Sequence, residues 1–297
     1  MMISIDSQEY MTKNTLINYF ALGLGFLAID ATCFASDFHS ARTASLGGAG
    51  HGAPLLNDSV YLNPSFNSFL PSYSLAYNFS KFNGGSAELG NETHGRNYNF
   101  SIQDGRSELF QAGVAYTVRE DGTFIHFGAS RTVIKQLGVG IGGKVFFNTT
   151  NHTSGKDLTF SVSGVPNEIF QTSFIVDNIL ETSDSKARGL YREAILGLKF
   201  NVQKIFYIYL DPHWTPNLPS TNHWGYELGL EFPIMQDLYL RLGNFKNANI
   251  PTLAAYGRGY SAGIGWVGPR IAFDYALSRP IDPISTVNHV GGVTVYF

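Results

Sequence analysis

The chain is short of charge, of cysteine and of long apolar runs, and each shortage excludes something. Charged residues make up 14% of its 297 positions, well below the ~25% of an ordinary soluble domain. Its 20 basic and 23 acidic residues leave a net charge of −3, which offers no basic surface to a nucleic-acid backbone. Beyond the first thirty positions there is no run of about 18 apolar residues, so the body holds no membrane-spanning helix. What is abundant is apolar and small. Hydrophobic residues reach 44%, aromatics 14%, and 32 glycines stand against 12 prolines. That is too apolar for a disordered chain.

The first thirty-five residues read as an address label. Lys13 precedes an apolar stretch over 19–29, followed by Cys33-Phe34-Ala35 and a polar restart at Ser36. A basic start, a short apolar stretch and a small residue at the cut make a secretory signal. A buried helix or a membrane anchor is the alternative, but the stretch is short for an anchor and no basic stop follows it. Residues 1–10 are acidic and fit no such leader, so Met11 competes with Met1 as the start. Asp30 stands where a lipobox wants leucine. Cleavage after Ala35 removes Cys33, which excludes disulfides, thiol catalysis and thiolate metal sites from the mature chain.

The remainder alternates with period two, the signature of strands with two different faces. In the last ten residues His289, Gly291, Val293, Val295 and Phe297 share one side, and Val290, Gly292, Thr294 and Tyr296 the other. Similar alternation over 190–201, 222–232 and 269–279 leaves no room for a helical period. Strands are expected at 72–82, 94–103, 108–119, 122–134, 137–149, 157–163, 169–180, 190–201, 204–211, 222–232, 236–244, 258–267, 269–279 and 288–297. That makes fourteen, or twelve if the weakly patterned 157–180 fails. Short connections alternate with longer polar ones at 83–93, 150–156, 211–221, 245–257 and 280–287, although Glu120-Asp121 is tight on the long side. A soluble β-sandwich also alternates, but its exposed face would carry Lys, Glu and Thr. Here the less apolar face holds Gly, Ala, Ser and scattered charges, as the interior of a closed antiparallel transmembrane β-barrel does. Aromatics toward strand ends (Tyr77, Phe79, Phe82, Trp224, Tyr226, Trp266) fit interfacial belts.

Between leader and barrel, residues 36–71 contain Ala41-Arg42 and Leu46-Gly47-Gly48-Ala49-Gly50, then Asp58 and Asn63-Pro64-Ser65. This A-R-x-x-x-L-G-G-A-G…D…N-P-S pattern resembles the N-terminal hatch of the FadL-type hydrophobic-compound transporters and of the related PorV-like outer-membrane barrels. Residues 172–179 (TSFIVDNI), 238–243 (LYLRLG) and 273–276 (FDYA) are similar to three strands of that family. The resemblance covers nearly the whole mature chain. It implies a monomeric fourteen-stranded barrel in the bacterial outer membrane, with 36–71 folded inside as a plug and 72–297 as the wall. Gly47, Gly48 and Gly50 would allow close approach to the wall, Pro64 would hold Asn63 extended, and Arg42, Asp58 and Asn63 would bond to wall charges. A flexible periplasmic tail is the plainer reading of that segment.

Lumen-facing candidates are Lys144, Glu193, Lys199, Glu227, Glu231, Arg241 and Asp274, whose mixed signs suit bracing ion pairs better than an ion-selective ring. Leu55, Phe66, Phe69 and Leu70 with Phe146 are candidates for a greasy pocket. Tyr296-Phe297 looks like the terminal signal read by the barrel-assembly machinery. Partners expected are outer-membrane lipid and lipopolysaccharide, that machinery, and a small hydrophobic ligand or a secretion-system partner; no nucleic acid, cofactor or metal is expected. The family's substrate-capturing loops are long, whereas those here are compact, which favours the PorV-like branch. Gly138-Val139-Gly140-Ile141-Gly142-Gly143 matches a dinucleotide fingerprint in letters only, because Lys144-Val145-Phe146-Phe147 continues a strand. Asp211 and His213 share a face and could suggest a rim hydrolase, yet no nucleophile is near, and a loop histidine is the plainer reading. The leading function is passive uptake of small hydrophobic molecules through a plugged channel; a structural or secretion-partner barrel is the alternative, and an enzyme comes last.

Overall fold

Fourteen antiparallel strands close on themselves in the computed structural model, which describes residues 38–120, 122–148, 154–253 and 255–297. In chain order they are β1 (Tyr73–Gly84), β2 (Thr93–Asp104), β3 (Gln111–Arg119), β4 (Gly122–Ile134), β5 (Leu137–Asn148), β6 (Ser154–Gly164) and β7 (Phe170–Asp177). The second half continues with β8 (Glu193–Val202), β9 (Phe206–Trp214), β10 (Trp224–Pro233), β11 (Leu238–Ile250), β12 (Ala255–Val267), β13 (Ile271–Asp282) and β14 (Thr286–Tyr296). Each strand pairs with its sequence neighbours, and β14 returns to β1 in continuous register from Ser74 opposite Tyr296 to Gly84 opposite Thr286. The expected signal segment 1–35 lies outside the described residues. No described helix is long and apolar enough to cross a membrane.

The alternation sorts the two faces. Phe100, Tyr116, Phe127, Ile141, Phe160, Phe174, Leu196, Leu242, Ile264 and Phe273 point outward and are exposed. Their neighbours one position along, such as Ser101, Thr117, Gly128, Ser161, Gly197 and Arg241, are buried inside. An exposed row of this kind suits hydrocarbon rather than water. Trp214 and Trp224, 6.3 Å apart, and Trp266 and Phe273, 5.9 Å apart, contribute outward aromatic pairs near strand ends. Phe82, grouped by sequence with these aromatics, instead belongs to the buried inward row.

Of the boundaries that differ from the sequence reading, three have a clear local reason. β7 stops at Asp177 because Asn178 turns to a φ of 51°, its side-chain amide donating to the Tyr191 carbonyl at 2.9 Å. The connection 178–192 is therefore longer than expected and carries a short helix. β11 runs on to Ile250 through a bulge at Asn247, where φ is also 51°. Asparagine tolerates that conformation, and its amide donates to the carbonyls of Asn222 and Trp224. β9 continues past Pro212 to Trp214, so His213 is a strand residue and not a loop one. Lacking an N–H, Pro212 sits where the β8–β9 pairing lapses between Ile195–His213 and Leu198–Leu210 in an unchanged register. Longer strands shorten the connections to 251–254 and 283–285.

Residues 38–71 pack inside this ring and are mostly buried. Ser40 caps α1 (Ala41–Ser45) by accepting from the Thr43 amide at 3.1 Å, and α1 packs on β11–β14. A 3₁₀ turn at Leu56–Asp58 meets β1 and β2, and α2 (Ser59–Leu62) meets β3 and β4. A second 3₁₀ helix, Pro64–Phe69, lies against β3–β6.

The two faces should respond oppositely to charge. Phe127→Arg, outward and mid-strand, is expected to lower folding stability in lipid vesicles by about 2–4 kcal/mol, and Ile134→Arg at the strand end by roughly 0–1 kcal/mol. Urea titration of both variants checks this, and equal costs would contradict the assigned lipid face.

Candidate functional site

The inner segment reaches the wall through two kinds of contact. On the side of β5–β7 the contact is neutral. Asn63 donates from its side chain toward the His51 carbonyl at 2.8 Å and toward Ser163 and Ser173, each at 2.9 Å. Its carbonyl oxygen accepts from Ser65 at 2.7 Å, and the Ser65 amide donates to Ser161 at 2.9 Å. Pro64 and the Ser65 backbone crowd the inner face of β5: a side chain at Gly140 would collide with them, and one at Gly142 with the proline ring. The glycine run that imitated a nucleotide fingerprint is thus the bed on which Asn63-Pro64-Ser65 lies.

On the side of β8–β13 the contact is ionic. Arg42 donates to the Tyr209 hydroxyl at 2.9 Å and sits 3.5 Å from Glu231 and 4.0 Å from Asp58. Tyr209 in turn donates to Glu231 at 3.1 Å. Arg241 bridges Glu231 at 2.6 Å and Asp274 at 2.5 Å. Burial opposes the Arg42 charge, but Glu231, Tyr209 and Asp58 outweigh it and hold the guanidinium's pKa above its ordinary value. Burial lifts the Asp58 carboxyl above its usual range, although Arg42 and the Tyr61 hydroxyl, bonded at 3.0 Å, pull the other way. Lys199 lies 5.2 Å and 5.6 Å from the rings of Tyr207 and Tyr209.

Between these networks stands His51. Its Nδ1 is 3.0 Å from Asp211 Oδ2 and 3.6 Å from Glu227 Oε2. The same Asp211 oxygen accepts the backbone amides of Gly50 at 2.7 Å and His51 at 2.9 Å. His213 faces Glu193 at 3.7 Å and the Asn247 carbonyl at 3.1 Å. Burial alone would lower the His51 pKa, but the hydrogen bond to Asp211 and the charges of Asp211, Glu227 and Glu193 raise it to about 9. Ligand atoms of His51, Asp211 and Glu227 lie within 4.8 Å of one another, a spacing that could hold a cation. Asp211 Oδ2, however, is already surrounded by three donors. A protonated imidazole between two carboxylates accounts for the cluster.

The turn over 46–52 that brings His51 here needs its glycines. Gly47 (φ 73°) lies against the backbone of Gly243 and Asn244, and Gly48 (φ 96°) against the Glu227 carboxylate, so a side chain at either would be strained and obstructed. Gly50 also has positive φ, at 138°.

The structure therefore brings Arg42 and Asp58 together with Glu231, Arg241 and Asp274, and sets Gly48 beside Glu227. Glu193 joins the His51 cluster through His213. Lys144 stands apart, paired with Asp177 at 2.8 Å. Phe146 packs with Phe124 and Leu190, whereas Phe66 packs at a tilt against Phe69 with ring centroids 5.5 Å apart, so the expected apolar candidates do not form one pocket. Leu55 is partly exposed. Phe297 donates its amide to the Tyr73 carbonyl at 2.9 Å at the β1–β14 closure, and the Tyr296 hydroxyl donates to the Gly268 carbonyl in the β12–β13 connection. Asp211 and His213 do not face a common substrate position; each is buried against another partner. His51, Tyr209 and the close pair Gly52–Gly197 were not legible as site residues. An Asp-Pro-His inside an alternating strand, at odds with strand preference, was the one signal pointing to Asp211.

Two measurements test the ionic side. Because the folded His51 pKa lies above its unfolded value near 6.5, its contribution is full below about pH 6.5 and disappears as pH rises through about 9. The melting temperature of wild type should exceed that of His51→Gln at pH 6, by the equivalent of on the order of 3 kcal/mol, and the gap should close by pH 10. A constant gap would contradict the assignment. Arg241→Met leaves Glu231 and Asp274 without their shared partner and should cost about 3–5 kcal/mol in the same assay.

No family model and no curated protein matches this sequence. Solved structures do. The Ralstonia pickettii toluene transporter TbuX superimposes with a TM-score of 0.62 at 11% identity, covering 90% of this chain and 99% of that one. The P. putida toluene transporter TodX gives 0.58 at 11%, covering 87% and 98%. A Pseudomonas aeruginosa FadL homologue gives 0.57 at 10%, covering 90% and 99%. At such identities the likeness is one of architecture: the chain has the outer-membrane-type barrel fold of the FadL-type hydrocarbon transporters.

Proposed function

We propose that this protein is an outer-membrane channel for passive uptake of small hydrophobic molecules, with residues 36–71 as a plug that must yield before cargo passes. The observation that carries the reading is the occupied interior. The cavities beside the inner segment measure about 60 Å³ next to Arg42 and Asp58 and about 30 Å³ next to His51 and Glu227. An apolar cavity of roughly 150 Å³ is needed to hold even benzene. A hydrocarbon therefore needs the segment displaced, and that segment is held by buried polar contacts to the wall and by the packing of Ala41, Ala44 and Leu46. The neighbours that share the fold are named for toluene transport, which supports the choice of cargo class. Residence in the bacterial outer membrane among lipopolysaccharide, and recognition of Tyr296-Phe297 by the barrel-assembly machinery, belong to the same reading.

The compact connections at 251–254 and 283–285 favour a second reading, a PorV-like structural or secretion-partner barrel.

A reversible lock separates the two. A Cβ at Gly292 would lie 3.3 Å from that of Ala41, close to the ~3.5–4.5 Å range of a disulfide. In a Cys33→Ser background, Ala41→Cys with Gly292→Cys should pin α1 to β14 when oxidised. Toluene uptake into liposomes is expected to stop on oxidation and return on reduction, and deletion of 42–65 should raise it. Uptake indifferent to both changes would refute gating by this segment. Absence of any uptake, with a stoichiometric protein partner recovered from membranes, would support the second reading.

A further inference from the structure

The outer face of the barrel is not evenly apolar. Six adjacent strands each place one basic side chain in the outward row: Lys246 on β11, Arg258 on β12, Arg279 on β13, His289 on β14, Lys81 on β1 and Arg96 on β2, all exposed. The outward rows of the other eight strands hold two, Arg131 and Lys156. Across the sheet Lys81 lies directly opposite both Arg96 and His289, and Lys246 lies opposite Arg258. Like charges facing each other in this way, with Cβ atoms about 4.5–5.5 Å apart, are destabilising unless something anionic lies between them. The protein supplies little of that. Among the described residues, Asp282 is the one acid in ion-pair range of the set, 3.9 Å from Arg258. Glu88 and Glu92 stand in the β1–β2 connection and Glu120 follows β3, while Asp104, in the outward row of β2, lies at the far end opposite Tyr73.

The basic positions follow the tilt of the wall. At the end bearing Tyr73 and Tyr296 the strand ends climb one residue per strand: Ile271 pairs with Val295, Val267 with Ala272, Leu238 with Trp266 and Pro233 with Tyr239. That stagger is what a closed, tilted sheet requires. The basic side chains climb with it. Arg279 is two residues beyond Leu277, the partner of His289, and Arg258 is two beyond Tyr260, the partner of Arg279. They therefore form a band at nearly one height. Its height is near the end with the longer connections, 85–92, 178–192 and 215–223, which a membrane barrel turns to the outside. Toward mid-strand the same rows turn apolar, through Phe79, Tyr98, Tyr260, Leu277 and Tyr275, whose hydroxyl is 2.7 Å from His289 Nδ1.

We propose that this band is a binding site for the phosphates of a glycolipid of the lipopolysaccharide type, held against one side of the barrel in the outer leaflet. Cations at the level of lipid headgroups attract anionic lipid, and arginine forks suit phosphate oxygens. Six strands about 4.8 Å apart make a face roughly 25 Å wide. A single phosphodiester headgroup would engage only part of it, whereas a glycolipid with two phosphates and several acyl chains meets both the cations and the apolar rows below them. The anion also relieves the repulsion between Lys81, Arg96 and His289 and between Lys246 and Arg258. The inference rests on the outer-membrane reading, but not on hydrocarbon uptake or on displacement of the plug.

Native mass spectrometry of the full protein in neutral detergent, titrated with bisphosphorylated lipid A, tests this by counting bound lipid. Wild type should carry lipid A. Lys81→Gln, Arg96→Gln and Arg279→Gln combined should raise the dissociation constant on the order of 100-fold. Arg131→Gln with Lys156→Gln, which removes the cations elsewhere on the outer face, should bind as wild type does, and dephosphorylated lipid A should bind wild type no better than lipid A binds the triple variant. Folding is checked by heat-dependent gel migration, and Lys246→Gln with Arg258→Gln replaces the triple variant where that fails to fold. Equal affinity in wild type and the folded band variant, an equal loss in the control pair, or phosphatidylglycerol held as tightly as lipid A would overturn the proposal. The two readings fail differently: a chain that stays in solution without detergent contradicts residence in the membrane, whereas a folded, detergent-bound barrel indifferent to lipid A contradicts the band alone.

Discussion

An amide facing hydrocarbon has no water to bond to, and that single constraint organises this molecule. A sheet meets it only by leaving no edge, so β14 must return to β1 and does so in unbroken register. Closure also creates an interior, and whatever fills the interior is judged by the same rule. The segment 38–71 contains only short helical pieces, so much of its backbone bonding is supplied by caps, turns and wall side chains. Asp211 taking two consecutive amides, Ser161 taking the Ser65 amide and Asn78 taking the Ala41 amide are instances.

The wall is accordingly not uniform. Its β5–β7 sector presents serines and glycines, allowing neutral hydrogen bonds and very close backbone approach. Its β8–β13 sector presents carboxylates matched to Arg42, Arg241 and His51. The inward row of its β14–β1–β2 sector is neutral, with Ser74, Asn78, Ser80, Asn97, Asn99 and Ser101 among its buried side chains. Two of these surfaces have a distinct role toward the inner segment, one a rigid bed and the other an ionic fastening. An ionic fastening inside a low-dielectric ring is strong when matched and costly when broken.

Much of this was legible in order. Period-two alternation located fourteen strands because a wall between lipid and lumen imposes that period on every strand. It groups Lys144, Glu193, Lys199, Glu227, Glu231, Arg241 and Asp274 on the less apolar face of their strands, since facing follows from parity alone. Parity says nothing about partners, so it could not show that Lys144 meets Asp177 while Glu231 meets Arg42. Boundaries slipped where an asparagine adopted a left-handed conformation, at Asn178 and Asn247, or where a proline sat inside a strand, at Pro212. Asn178 ended its strand early, whereas Asn247 and Pro212, whose usual role is also to end structure, were carried through by the neighbouring strands. The glycines of β5 read as a meaningless echo of a nucleotide motif because their purpose, room for Pro64 and Ser65, lies on a segment some seventy-five residues earlier.

By itself the sequence determined the architecture, because hydrocarbon outside and packing inside write a repeating pattern into every strand. Only the tertiary structure decided what the interior does. His51 against Asp211 and Glu227, and Asn63 between Ser163 and Ser173, are meetings between residues about 100 or more positions apart. No periodicity records them, since they depend on how the ring's diameter and registers bring separate strands to face one enclosed segment.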